Sequence, residues 1–171
     1  LQPGDILRAN PTRIDPSEAG RQFPETLRPY AEEAIRVLPG PQADLFAKEA
    51  WHRLTSEAFE VTQQADRIGY RLQGPELNHR GPTDIISGGL ATGCIQVPAG
   101  RQPIVLMVDR QTTGGYPVIA SVISADLHRV AQKLPGDKLT FRLVTLEEAI
   151  RAKRQMEANI RAFAEGLKPG R

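Results

Sequence analysis

The sequence predicts a mainly β protein, a small barrel of mixed connectivity with a few helices at its margins. Three observations predict it. Short apolar runs recur between turn signals from residue 35 to residue 144. Helix and strand do not alternate regularly through the middle of the chain, as a doubly wound sheet would require. At 171 residues and 40% hydrophobic, the chain is long enough to bury one real core.

Taken in order, the chain opens on Pro3-Gly4-Asp5 followed by Leu7, which repeats as Pro135-Gly136-Asp137 followed by Leu139. Each copy reads as a turn feeding a strand. The echo suggests the back half of a duplicated protein, with residues 1–34 holding the tail of a preceding unit and a linker. Pro11, Pro16, Pro24 and Pro29 among polar residues mark that linker as partly extended. The globular unit then runs from 35 to 171. Ile35–Leu38 is a short strand stopped by Pro39-Gly40-Pro41. Leu45, Phe46, Ala50 and Leu54 share one helical face, which predicts a helix over 42–54. Strands follow at 58–62 and 68–72, then a Gly/Pro/Asn-rich loop over 74–83. Further strands are expected at 84–87, 94–97, 104–108, 118–123 and 139–144. Ser124 is placed to cap a short helix through Gln132. Thr145 and Glu148 form a capping box, and Leu146, Ala149, Ile150, Ile160, Phe163 and Leu167 continue a helical stripe behind it.

Composition removes several function classes. The net charge is only +2 and the arginines are scattered, so no nucleic-acid footprint is expected. No run approaches the roughly 20 apolar residues of a membrane helix, and no signal peptide opens the chain. With Cys94 as the one cysteine, the expectation is a soluble cytoplasmic protein without an internal disulfide. His52, His79 and His128 are far apart in sequence and none sits in a ligand motif, so no metal site is expected. His79, in the 74–83 loop, is kept as an acid–base candidate. Cys94 reads as a small buried hydrophobe, and no P-loop occurs.

The strongest functional signal is Asp109-Arg110-Gln111-Thr112-Thr113-Gly114-Gly115-Tyr116-Pro117, displayed at the end of the apolar run 103–108. Arg110 has the fork that grips a carboxylate or phosphate, and Thr112 and Thr113 add short donors. Gly114 and Gly115 allow close backbone approach and can aim N–H groups at an anion. The competing reading is a hairpin in which Gly114-Gly115 forms a type I′ turn. Three patches accompany the loop. In 66–71 alternation sets Asp66, Ile68 and Tyr70 on one face and Arg67, Gly69 and Arg71 on the other. Glu76 stands in the 74–77 loop. Gln96 interrupts an apolar strand and must find a partner, either backbone or the amide of a ligand.

Ile35–Pro41, Asp66–Leu72, Gln96-Val97-Pro98 with Gln102-Pro103-Ile104, and Asp109–Asp126 together resemble the biotin-dependent carboxyltransferase-like family. That family includes allophanate hydrolase subunit 2 and the C subunit of 5-oxoprolinase, also called KipA. The resemblance spans about residues 35–150 and points to the family's C-terminal half. It implies a cyclophilin-like β-barrel and a subunit of an amide- or lactam-cleaving complex. The chemistry would be ATP-dependent 5-oxoproline hydrolysis or urea/allophanate metabolism, with little turnover by the isolated chain. It also implies a KipI-like or allophanate hydrolase subunit 1-like partner, with ATP or carboxybiotin supplied through partners. By position, Asp109, Arg110 and Gln111 carry over as catalytic candidates. Thr112, Thr113, Gly114, Gly115, Tyr116, Arg67, Tyr70 and Gln96 carry over as substrate-binding candidates. Where the family usually has an acid in the segment Ile86-Ser87-Gly88-Gly89, this chain has Gly88, which weakens the substrate assignment. The alternative from a different class is a regulatory protein that sequesters a KipI-like kinase inhibitor.

Overall fold

The computed structural model describes residues 2–6, 8 and 34–166, and the predicted linker therefore lies largely outside the described residues. Eight strands build the main sheet. They are β1 (Ile35–Pro39), β2 (Phe59–Val61), β3 (Gly69–Gln73), β5 (Cys94–Gln96), β6 (Ile104–Leu106), β8 (Val118–Val122), β9 (Lys138–Leu139) and β10 (Phe141–Leu143). Their order across the sheet is β10-β1-β8-β5-β6-β3-β2-β9. The remaining two strands, β4 (Gly88–Gly89) and β7 (Thr113–Gly114), pair with each other as a separate ribbon. Most pairings are antiparallel, and β1 with β10 is parallel. Among the described residues three α-helices accompany the strands: α1 (Lys48–Ser56), α2 (Leu127–Ala131) and α3 (Leu146–Gly166).

Closure follows from the order alone. Strands β9 and β10 stand at opposite edges of the sheet, yet only Thr140 separates them in sequence. One continuous segment therefore pairs with β2 through Leu139 and with β1 through Phe141, which brings the two edges together. The carbonyl of Thr140 accepts from the Ile35 amide at 2.7 Å at the junction. A curled sheet with both edges engaged is the barrel expected from the pattern of short strands.

The barrel interior holds Ile35, Val37, Phe59, Leu72, Ile95, Val105, Ile119, Leu139 and Phe141, all essentially inaccessible to water. The Phe59 and Phe141 rings pack at 6.0 Å between centroids. Helix α1 adds Ala50 and Leu54 to this core. Helix α3 starts on the expected capping box: the Glu148 carboxylate accepts from the Thr145 amide at 2.8 Å, and Thr145 Oγ1 accepts from the Glu148 amide at 3.2 Å. Its Ala149, Ala152 and Met156 pack on Leu38, Ile123 and Val144 outside the barrel.

Several expected boundaries move, each for a physical reason. The helix expected over 42–54 begins only at Lys48, because Ala43–Leu45 forms a 3-10 turn and Phe46 bridges to His79 with Ala47 extended. No strand forms at 84–87. Ile86 is 96% exposed there, and pairing starts at Gly88. The single strand expected at 139–144 is split at Thr140 by the change of partner. Ser124 does not cap α2; the residue before that helix is Asp126, and its carboxylate makes no capping bond. The two Pro-Gly-Asp segments adopt the same turn. Gly4 has φ +101 and Gly136 φ +93, and each aspartate carboxylate accepts from the amide three residues earlier, at 2.7 Å for Gln2 and 2.9 Å for Leu134. A left-handed residue after proline is the type II geometry, and only glycine takes it without strain.

Asp126 is turned instead toward β1. It is 1% exposed and accepts from the Arg36 amide at 2.8 Å, Arg36 Nε at 3.0 Å, Arg36 Nη2 at 2.7 Å and Arg129 Nη1 at 3.2 Å. This charge cluster ties β1 to α2 across ninety residues of sequence.

Candidate functional site

The Asp109–Pro117 segment folds back over the outside of the barrel. Alternation along β5 and β6 explains how. Ile95, Val105 and Met107 point into the main core, while Cys94, Ile104 and Leu106 point outward and join Leu90 and Val118 in a second cluster. The apolar run 103–107 is continuous because both of its faces are covered.

Gln96 has the same parity as Cys94 and lies beneath this segment at 2% exposure. Its Nε2 donates to the Tyr116 carbonyl at 3.3 Å, and its Oε1 accepts from Gln111 Nε2 at 3.4 Å. A strand irregularity between Ile95 and Gln96 accompanies that change of environment. Of the two partners open to Gln96, backbone and ligand amide, the structure shows backbone together with Gln111. It supports the loop from below.

Neither Gly114 nor Gly115 has left-handed backbone, so the type I′ turn is not formed. Glycine is required there by contact. A Cβ on Gly114 would stand 2.8 Å from Leu90 Cδ1 and 3.1 Å from Gln96 Nε2, and one on Gly115 2.9 Å from the Ile85 carbonyl oxygen. The ribbon is held from the other side as well, with Leu90 donating its amide to the Thr112 carbonyl at 2.9 Å and Ile85 to that of Gly115 at 2.8 Å.

Arg110 donates Nε to the Leu90 carbonyl at 3.3 Å and Nη1 to that of Val108 at 3.5 Å. These long bonds fix the guanidinium against the loop and leave Nη2 over. Asp109 forms a two-pronged pair with Arg67, Nε to Oδ2 at 2.6 Å and Nη2 to Oδ1 at 3.1 Å. The hydroxyls of Thr112 and Thr113 are exposed and take no partner among the described residues. Tyr70 alone is carried away from the group. Its hydroxyl donates to the Ala131 carbonyl at 3.1 Å and its ring packs on the main core. The expected site thus gathers Asp109–Tyr116 with Gln96 and Arg67, and parts from Tyr70. Sequence reasoning missed the Leu90 carbonyl, which anchors Arg110 through a main-chain atom that no side-chain pattern announces.

The hydrogen bond from Arg67, helped by its positive charge, holds the Asp109 carboxyl below the ordinary carboxylate range despite a small opposing cost of desolvation. Any stabilisation from the pair is therefore present above about pH 4, the unfolded value, and is lost as pH falls through the lower folded value. In Arg67→Ala, an NMR titration is expected to find Asp109 back in the ordinary range. An unchanged value would mean that the pair is not formed in solution.

Two concavities, of about 480 and 470 Å³, lie elsewhere, and neither is lined by residues 109–117. The loop is a presented surface: donors and acceptors arrayed on a rigid barrel wall, with no nucleophile–base pair among them. Such an arrangement binds and orients a small polar group by preorganised hydrogen bonds.

A mainly β barrel displaying a rigid polar loop on its outer wall is the class of protein defined so far. Residues 1–143 match the model of the carboxyltransferase domain, subdomain A and B, and the chain belongs to that family. It is 39% identical to the C subunit of the Haemophilus influenzae 5-oxoprolinase, covering 92% of this chain and 49% of that protein. The Escherichia coli protein of the same name is 42% identical over 72% of this chain and 40% of its own length. A putative urea carboxylase of Emericella nidulans is 28% identical over 92% of this chain and 14% of its own. The crystal structure of Kluyveromyces lactis urea carboxylase aligns with 87% of this chain and 14% of that one, at 26% identity and a TM-score of 0.75. The chain spans about half the length, or less, of the curated relatives it matches. No helix of the described residues is long and apolar enough to cross a membrane.

Proposed function

We propose that this chain is the carboxyltransferase-type part of a multi-subunit system that acts on an amide or lactam, as in 5-oxoproline hydrolysis or urea/allophanate metabolism. The carrying observation is the loop's construction. Gln96, Gly114 and the Leu90 carbonyl pin the segment flat, and the Thr112 and Thr113 hydroxyls and Arg110 Nη2 are left over. Those leftover groups match a substrate with one anionic oxygen pair and one amide or ureido group. Gln111, whose Nε2 donates to Gln96 Oε1 at 3.4 Å, fixes the register.

Neither of the two concavities described borders the loop, and a presented surface suits a reacting group brought from outside. ATP or carboxybiotin would accordingly be presented by a partner subunit of the KipI or allophanate hydrolase subunit 1 kind. Ile68, Ile86, Val108 and Tyr116 flank the loop and its pairing partners with exposed apolar surface, which supports such a docking. A cytoplasmic setting accords with the free thiol of Cys94.

The test is reconstitution with the partner subunits and an assay of ATP-dependent 5-oxoproline hydrolysis, with urea as the second substrate. Arg110→Ala is expected to lower the rate by about a hundredfold or more while the complex still assembles, since misplacing a site by about 1 Å can cost that much. Full activity in Arg110→Ala would remove the loop from the chemistry. Tight partner binding without activity on either substrate would favour the regulatory alternative.

A further inference from the structure

The 470 Å³ concavity is lined by Asn78, His79, Gly81, Thr83, Ala99 and Arg101, away from the Asp109–Pro117 loop. Its size falls in the range of small-molecule sites. Arg101 has φ +58 and is the one residue other than glycine in the left-handed region among the described residues. The neighbouring Gly100, which would tolerate that conformation freely, does not adopt it. A strained arginine where glycine would serve costs stability, and such residues concentrate where a side chain is needed.

The surroundings hold that side chain over the cavity. The Arg101 carbonyl accepts from the Leu77 amide at 3.0 Å, its amide donates to the Pro98 carbonyl at 2.8 Å, and Nη1 donates to Glu76 Oε2 at 2.8 Å. The Glu76 carbonyl is in turn gripped by Arg53 Nη1 at 2.9 Å. His79 is equally fixed. Its Nε2 lies 2.8 Å from the Val97 carbonyl, which can only accept, so Nε2 carries the proton and Nδ1 of the neutral ring is an acceptor. The ring rests on Phe46 at 4.9 Å.

We infer that this cavity is a second binding site, for a small monocarboxylate that also carries an N–H group, such as an N-acyl amino acid. Arg101 grips the carboxylate with the guanidinium edge that Glu76 leaves over. Asn78 adds a neutral donor, the Thr83 hydroxyl being engaged with Asp84 Oδ2 at 3.4 Å, and His79 Nδ1 accepts from the ligand N–H. Because Glu76 already balances the charge of Arg101, a monoanion fits the site better than a phosphate dianion. The site does not depend on the activity proposed for the Asp109–Pro117 loop.

The experiment is a titration of the isotope-labelled protein with N-acetylglycine, followed by NMR shifts of residues 76–83 and 98–101. Acetamide and inorganic phosphate serve as comparison probes. Saturable shifts with N-acetylglycine, and much weaker ones with either comparison, are expected. Arg101→Gly should weaken binding by about tenfold or more, the worth of a charged, two-pronged contact. The same variant should melt about 2–4 °C higher, since it relieves the strained backbone. Asn78→Ala, which leaves that backbone alone, should also weaken binding. The inference is overturned if wild type shows no saturable shift, if phosphate binds as well as N-acetylglycine, or if Arg101→Gly binds unchanged. A lower melting temperature for Arg101→Gly would likewise overturn it, by showing that the arginine is kept for stability.

Discussion

Replacing Asp126 with alanine is expected to destabilise the barrel by about 3–5 kcal/mol, the usual cost of removing one partner from a buried ion pair. The carboxylate takes four hydrogen bonds from Arg36 and Arg129. Without it, the side chains of Arg36 and Arg129, only 20% and 10% exposed, lose the carboxylate that both of them grip. Burial alone would raise the Asp126 carboxyl. The side-chain and backbone hydrogen bonds from Arg36, with the charges of both arginines, outweigh burial and hold it below the ordinary range. The cluster's contribution is therefore complete above about pH 4 and is lost as pH falls through the folded value. Urea unfolding at pH 7 and at decreasing pH checks both statements. The gap between wild type and Asp126→Ala should be widest near neutrality and should narrow in acid. A gap that stays constant down to about pH 2, well below the ordinary carboxylate range, would show that the carboxylate charge is not what the cluster supplies.

Gly40→Ala is the second large effect expected, at or above the upper end of the roughly 1–3 kcal/mol typical of overpacking. A Cβ there would collide with the carbonyl oxygen of Val118, and would lie 2.9 Å from both the Val118 and Ile119 carbonyl carbons. Those atoms belong to β8, which is held between β1 and β5 and cannot withdraw. The Gly40 amide also donates to the Ile119 carbonyl at 2.8 Å, so the chain cannot swing outward without losing that bond. Gly40 does not have left-handed backbone, which makes the effect one of contact alone. Gly88→Ala supplies the comparison, because nothing stands within 4 Å of a Cβ at that position. Thermal melts of the two variants should differ widely. Equal melting temperatures would mean that β1 and β8 are not so closely apposed in solution.

Much of this architecture could be read from local pattern. The strands at 35–38, 94–97, 104–108 and 118–123 announce themselves by apolar runs between turn residues, and Thr145 with Glu148 marks the start of α3. The failures share a cause. Leu45 and Phe46 match a helical stripe, yet Phe46 is claimed by His79, far along the chain. Residues 84–87 look extended, but their backbone pairing is limited to the bond from the Ile85 amide to the Gly115 carbonyl, too little to make a strand. Asp126 looks unremarkable in sequence because its partner Arg36 is ninety residues distant. At the site, alternation predicts Arg67 and Tyr70 on opposite faces. Arg67 instead lies in a bend before β3, where the Asp66 carboxylate accepts from the Ile68 and Gly69 amides, so the separation is made by that turn. What the alternation could not supply was the return of residues 109–117 onto Leu90 and Gln96, because a loop's docking surface is set by tertiary contact and not by its own residues.

The segment that closes the barrel also sets a clock on its synthesis. On the ribosome the partner β10 follows β1 only about a hundred residues later, a delay of roughly 5–20 s at ordinary translation rates. Until Lys138–Leu143 is made, β1 lacks β10 and β2 lacks β9, and exposed strand edges recruit other chains. A nascent chain halted before Lys138 would carry a nearly complete core and two sticky margins, which makes it a natural client for a chaperone.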